Sequence, residues 1–292
     1  METGELLVIG ADVRTRYLAR YAWDGELLWQ RRLRVHHDVS VTDDGTLLAL
    51  ASARRRGRGL YPDHRIADNP ILRLSASGEV IAQRSLFDIV ASRPDFELNL
   101  IAVPDNRGFV DLFHSNSVRQ MNLEALEGDH AIYDPANVVV STRHQDRIVI
   151  FNWETGELIW EWGAGEVSGP HDAAILATGN LLVFDNGLDR RWSRVIEVDP
   201  RTESIVWEYE APVPTDFSTA SRGASQRLDN GNTLITESDA GHAFEVTPAG
   251  KIVWEYWVPL AAGQTEIAPG RPTIVRLYRH HGDWLDALLV HG

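Results

Sequence analysis

The sequence has no cysteine among its 292 residues and only two methionines. This excludes disulfides, thiolate metal sites and a thiol nucleophile, and leaves the redox compartment open. There is also no run of the roughly 18 to 20 consecutive apolar residues that a membrane helix needs, and Met1-Glu2-Thr3-Gly4-Glu5 lacks the basic-then-apolar order of an export signal. As written, the chain reads as soluble and cytoplasmic, with no membrane segment. Basic residues are scarce as well: 28 Lys and Arg stand against 42 Asp and Glu, a net charge of −14 that argues against nucleic acid as a partner. Any anion-binding site in such a chain must carry its own local positive charge. Disorder is excluded by the 43% hydrophobic content.

Tryptophan is abundant, with ten copies, and its spacing reveals repeats. Thr155-Gly156-Glu157-Leu158-Ile159-Trp160, Thr202-Glu203-Ser204-Ile205-Val206-Trp207 and Ala249-Gly250-Lys251-Ile252-Val253-Trp254 align without gaps, and their tryptophans lie 47 residues apart twice over. Each phrase follows a short alternating run and a tight turn, which together read as strand, turn, strand. Earlier copies end at Trp29 and, with Ala82 in the tryptophan's place, after Leu74 to Ile81. A second phrase precedes each hairpin: Asp44-Gly45-Thr46-Leu47-Leu48, Gly179-Asn180-Leu181-Leu182-Val183 and Gly231-Asn232-Thr233-Leu234-Ile235. Each unit therefore supplies about four short strands, the pattern of a β-propeller blade, with the tryptophan wedged between neighbours.

The expected fold is all-β: a single β-propeller domain over residues 1–292, built of four-stranded blades. Six blades are expected, five of them recognisable, with closure by Glu5 to Val8 and Pro272 to Tyr278 at the two termini. Insertions fall at about 54–70, 85–111 and 122–130. Within them Arg54 to Arg58 reads as a loop, Ser85 to Val90 as a short helix and Asn122 to Gly128 as a short helical piece.

Eleven histidines are present, and blade position sorts them. His37 and His171 both lie eight residues before a turn glycine, Gly45 or Gly179, and both precede an aspartate, Asp38 or Asp172. That places them where an innermost strand begins. One reading is structural, a His and Asp tying a blade by hydrogen bonds. The other is chemical, because His114 occupies the same place in the third unit and Arg143 ends that unit's next strand. Three histidines and an arginine would then serve one end of a channel. In the fifth unit Gly223 stands at the histidine's place, between Arg222 and Gln226. His64, His130, His144, His242, His280, His281 and His291 read as loop or surface residues.

His36-His37-Asp38, Phe113-His114-Ser115-Asn116-Ser117, Ser141-Thr142-Arg143, His171-Asp172, Phe184-Asp185-Asn186-Gly187, Arg222-Gly223-Ala224-Ser225-Gln226 and Gly231-Asn232-Thr233-Leu234 occur in an order that resembles bacterial arylsulfotransferase-like proteins. The resemblance runs from about Leu27 to Arg279. It implies a propeller, usually six-bladed, that moves a sulfuryl group from an aryl sulfate ester to a phenol, with no nucleotide donor and no cofactor. It implies a sulfated histidine as intermediate, and the match to that nucleophile is His171. His37, His114 and Arg143 match supporting catalytic residues; Asn116, Asn186, Arg222 and Gln226 match substrate-binding positions. Pro170 departs from the family, which commonly has Gln before the nucleophile, and the family usually has additional N-terminal sequence with an export or anchor segment.

The physics of the reaction suits these residue types. Neutral imidazole, with a reference pKa near ~6.5, is competent as nucleophile, acid and base near neutrality. Arg143 and Asn116 would hold the sulfuryl oxygens, His37 or His114 would protonate the leaving phenolate, and Asp172 or Asp38 would fix a tautomer. Three other readings stay open at this level: a non-catalytic binding or scaffold propeller, a divalent metal held by the clustered histidines, and a quinone-dependent dehydrogenase, whose repeats share the Trp160 phrase. No metal is assigned.

Overall fold

The computed structural model of the chain describes residues 4–11, 16–57, 61–100, 108–123, 126, 128, 130–259 and 272–280. Strands β1 (Leu6–Ala11), β2 (Arg16–Tyr21) and β3 (Leu27–Arg31) form a three-stranded antiparallel sheet. β4 (Val35–Val41) and β5 (Leu47–Ala51) are followed by a hairpin, β6 (Ala53–Gly57) and β7 (Tyr61–Asp68), before β8 (Ile71–Leu74) and β9 (Val80–Arg84) complete the β4-β5-β8-β9 sheet. Helix α1 (Leu86–Ala91) comes next, and β10 (Phe109–Asp111) then pairs in parallel with β7 to make a second three-stranded sheet. Three meandering four-stranded sheets complete the order: β11 (Ser115–Gln120) to β14 (Leu158–Trp162), β15 (His171–Ile175) to β18 (Ser204–Tyr209), and β19 (Ala224–Arg227) to β22 (Ile252–Trp257). The chain is thus all-β, with six sheets among the described residues, four of them four-stranded.

Sequence dictates these sheets through turns and burial. Gly45, Gly179 and Gly231 sit at φ of 77°, 89° and 83°, a region closed to most residues with a Cβ, and each amide closes its turn on a carbonyl three residues back at 2.8 to 3.0 Å. The strands after these turns, β5, β16 (Leu181–Asp185) and β20 (Thr233–Glu237), are buried at every residue, as continuous apolar runs predict. Outer strands β9 and β22 are mostly exposed. The tryptophans bridge sheets as expected: Trp29 Nε1 donates to Ala76 O at 2.9 Å in the β8–β9 turn, and Trp207 Nε1 donates to Pro248 O at 2.8 Å.

Two compact units are distinguished. The first comprises Met1–Gln145, Val149–Glu161 and His280–Gly292; the second comprises Asp146–Ile148 and Trp162–Arg279. In the first, Leu18, Val35, Leu47 and Leu74 form one apolar cluster and Leu50, Ile66, Phe113 and Phe151 another. In the second, Phe217 packs edge-on against Phe184 and Phe244, with centroids 5.7 and 5.5 Å away. Burying each such ring contributes roughly 1.5 to 3 kcal/mol.

The insertions depart from expectation at one place. The segment that begins at Arg54 is not a loop: Ala53–Gly57 is a strand, whose Arg55 donates to Ser85 Oγ at 3.0 Å and pairs with Asp88 at 2.9 Å. Its charge and glycine make a well-guarded strand look like a loop. Helix α1 stands where it was expected, with Ser85 as N-cap accepting from the Asp88 amide. Within Asn122 to Gly128, expected as a short helical piece, Glu124, Ala125 and Glu127 lie outside the described residues.

Candidate active site

The inner strands β4, β11 and β15 all begin with a register irregularity: between Val35 and Val39, Ser115 and Ser117, and His171 and Ala174. A bulge re-aims side chains at the mouth of a sheet. It is accompanied by left-handed backbone at His37 (φ 58°), His114 (φ 48°) and Asp172 (φ 48°), a conformation that costs a non-glycine residue roughly 1 kcal/mol or more. At the matching place before β19, Arg222 and Gly223 have φ of 64° and 98°. A Cβ on Gly223 would lie 2.5 Å from the Phe184 ring, so an aromatic neighbour accounts for the missing histidine there.

The aspartates that follow His37 and His171 tie one inner strand to the next. Asp38 Oδ2 accepts from Val118 N at 2.9 Å and also engages the Arg119 guanidinium. Asp172 Oδ2 accepts from Ser225 N at 3.0 Å, while the Tyr278 hydroxyl donates to Asp172 Oδ1 at 3.0 Å. The tying role proposed for a His and Asp pair is thus carried by the aspartates.

In the first unit four imidazoles form a row. Centroids are 4.9 Å apart for His36 and His37, 5.0 Å for His37 and His114, and 4.7 Å for His114 and His144. Partners fix the tautomers. The Ala51 carbonyl accepts from His36 Nε2 at 3.0 Å, so His36 Nδ1 accepts from His37 Nδ1 at 2.6 Å. The Asp111 carbonyl accepts from His144 Nδ1 at 2.6 Å, so His144 Nε2 accepts from Arg143 Nη1 at 2.9 Å. His114 Nδ1 donates to Asp111 Oδ2 at 2.6 Å, which turns its Nε2 into the edge available for proton transfer.

Burial and neighbours set the charges. Burial pushes the His36 imidazole down to about 4, its bond to the Ala51 carbonyl offsetting only part of this. Burial also lowers His144, against its bond to the Asp111 carbonyl. For Asp111 burial acts upward, but the His114 hydrogen bond and the surrounding histidines outweigh it and hold the carboxyl below its ordinary range. His37, His114 and Asp111 open onto a cavity of about 340 Å³, also lined by Arg16, Arg34, Arg54 and Phe109.

In the second unit His171 is buried at the start of β15. Its Nδ1 lies 2.7 Å from Asn186 Oδ1 and 3.0 Å from Gly169 O. Asn186 Nδ2 donates to Thr219 O at 2.7 Å and Arg222 O at 2.9 Å, which assigns the amide and leaves its oxygen to accept. With two acceptors at Nδ1, the neutral ring would keep its proton there. Arg222 itself is exposed and pairs with Asp239 at 3.6 Å. Gln226 uses both ends of its amide on the backbone of Arg279, at 2.9 and 2.7 Å, and so holds the C-terminal segment. Asn116 is fully buried in the bulge of β11.

The ligand atoms of Asp111, His114 and His144 lie within 4.8 Å of one another, a spacing open to a divalent ion. The donor set fits poorly. His144 presents one nitrogen to a backbone carbonyl and the other to a guanidinium, and Asp111 already accepts from His114. A metal would have to displace Arg143 from beside its ligand.

The model of the family described as Arylsulfotransferase (ASST) matches residues 18–258. The chain belongs to the arylsulfotransferase family. No curated protein matches it. Among solved structures, it is similar to a protein of unknown function from Bacteroides caccae at 16% identity, covering 87% of this chain and 72% of that one, with a TM-score of 0.49. It is similar to the Dos1 propeller at 12% identity, 86% and 54% coverage and a TM-score of 0.45. Similarity to a catalytically inactive variant of virginiamycin B lyase from Staphylococcus aureus, solved with quinupristin, is 11% over 87% and 70% of the two chains, at a TM-score of 0.48. Of the arylsulfotransferase motif residues, His37 and His114 line one cavity and Arg143 is joined to it through His144. His171, Asn186, Arg222 and Gln226 belong to the second unit.

Sequence reading missed Asp111, His36 and His144. His144, expected on a surface loop, belongs instead to the imidazole row; the clue was its adjacency to Arg143. His242, read the same way, is buried and stacks on Trp257 at 3.8 Å. Asp111 stands three residues before His114, a separation that carries meaning only once the bulge turns the two together.

Proposed function

We propose that this arylsulfotransferase transfers a sulfuryl group between phenolic oxygens through a sulfated His171, on a propeller of six blades closed by its termini. The observation that supports it is the orientation of His171: the carbonyls of Asn186 and Gly169 hold the proton on Nδ1 and commit Nε2 to nucleophilic attack. In the first half-reaction the Nε2 lone pair forms an N–S bond as the S–O bond to the aryl group breaks, and the departing phenolate takes a proton. In the second, an acceptor phenol gives up its proton, its oxygen bonds to sulfur, and the N–S bond breaks to regenerate His171.

His114 is the proposed acid and base, a role supported by the Asp111 carboxylate that anchors its Nδ1 and so leaves proton exchange to Nε2. His37, fixed against buried neutral His36, is the second group for that role. Arg143 and Asn116 are the proposed partners of the sulfuryl oxygens, as the family motif assigns them. Asp172 and Asp38 are structural.

Incubation with 4-nitrophenyl sulfate, with and without a phenol, tests the reading. A burst of nitrophenolate without acceptor, turnover with it, and loss of both in His171→Asn are expected. No release from any of a broad set of aryl sulfates would leave a binding protein on the same fold.

A further inference from the structure

The cavity of the first unit is more cationic than a single sulfate ester requires. Arg16, Arg34 and Arg54 line it with exposed side chains. Arg20, Arg55, Arg73, Arg119 and Arg194 each have a carboxylate partner. Among the described residues no carboxylate pairs with Arg16, Arg34 or Arg54. The cavity's own acid, Asp111, is engaged by His114 at 2.6 Å. In a chain with net charge −14, three uncompensated guanidinium groups around one cavity are a local inversion of sign. The Arg54 guanidinium lies 4.4 Å over the buried Phe109 ring, so its own planar face is the surface on which an aromatic ligand would stack.

We infer that this cavity of the first unit binds aromatic compounds carrying at least two anionic groups, such as sulfates, sulfonates or carboxylates on one ring system. A sulfate monoester bears one negative charge, which a single guanidinium can pair. The additional guanidiniums match a second anion by charge and by the paired N–H geometry that carboxylate and sulfonate oxygens accept.

The test uses two probes whose C–S bonds cannot take part in transfer, benzene-1,3-disulfonate and benzenesulfonate, titrated into the full chain by calorimetry at low and moderate salt. The disulfonate should bind at least about tenfold more tightly, with a preference that shrinks as salt rises. The exposed positions tolerate substitution, so Arg16→Gln/Arg34→Gln/Arg54→Gln should melt like the parent and bind both probes alike. Equal affinities in the parent, no binding of either probe, or a preference that survives the triple substitution would each overturn the inference. The two proposals fail separately. Turnover of 4-nitrophenyl sulfate without a disulfonate preference removes only the second anion, and a disulfonate preference without turnover removes only sulfuryl transfer.

Discussion

Replacing Asn186 with Leu removes one acceptor and two donors from a fully enclosed place. The acceptor lies 2.7 Å from His171 Nδ1, and the donors face Thr219 O and Arg222 O at 2.7 and 2.9 Å. At about 1 kcal/mol per buried hydrogen bond the loss is about 3 kcal/mol, which for a chain of this size lowers Tm by roughly 6 to 12 °C. Gly169 O remains at 3.0 Å and preserves the tautomer, so the damage to chemistry comes from a loosened ring. A nucleophile displaced by an ångström costs on the order of 100-fold in rate. Nitrophenolate release at a temperature where both proteins are folded measures this. Asn186→Asp separates orientation from charge: it keeps an oxygen toward His171 but favours the imidazolium, so the acidic limb of the pH–rate profile should move to higher pH. Parent-like kcat in Asn186→Leu, with unchanged Tm, would refute the claim that Asn186 orients the nucleophile.

Asp172→Ala should cost about 2 kcal/mol in urea denaturation, because it strands the buried Ser225 amide, while the exposed Tyr278 hydroxyl can turn to water; a loss below about 1 kcal/mol would contradict the tie. His36 gives a pH signature. Its imidazole stays neutral in the fold down to about 4 against 6.5 ordinarily, so between those values the unfolded chain binds the extra proton. Its contribution is complete above pH 6.5 and is lost as pH falls toward 4, up to about 3 kcal/mol. Urea midpoints followed from pH 7 to 4.5 should therefore fall more steeply in the parent than in His36→Gln, and equal slopes would contradict it. Elemental analysis of purified protein should find no stoichiometric divalent ion, since Arg143 occupies the side of His144 that a metal would need; a bound ion lost in His144→Ala would reverse that assignment.

Repeats were legible because tryptophan and turn glycine mark recurring places in several sheets: Trp29 and Trp207 make the same bridge to the next sheet's turn. The β6-β7-β10 sheet was not legible. Its first strand is arginine-rich, and its third joins in parallel from about forty residues away, a pairing no local pattern encodes. His37 and His171 could be found from their distance to a turn glycine, and His114 from its place at the start of the third unit. Their partners could not, since Asp111 arrives on β10, His144 follows β12 (Asn137–Thr142) and Asn186 follows β16. Arg16, Arg34 and Arg54 share a cavity through sheet packing alone. Gln226 shows the opposite failure, a motif residue whose amide is committed to the chain's own backbone.

The sulfated histidine is the centre of the account, and mass spectrometry of the protein quenched after mixing with 4-nitrophenyl sulfate, without acceptor, addresses it directly. One sulfuryl group per chain is expected on the peptide bearing His171, formed with the nitrophenolate burst and discharged when phenol is added. An unlabelled His171 during such a burst, or a label on His37 or His114 instead, would contradict it.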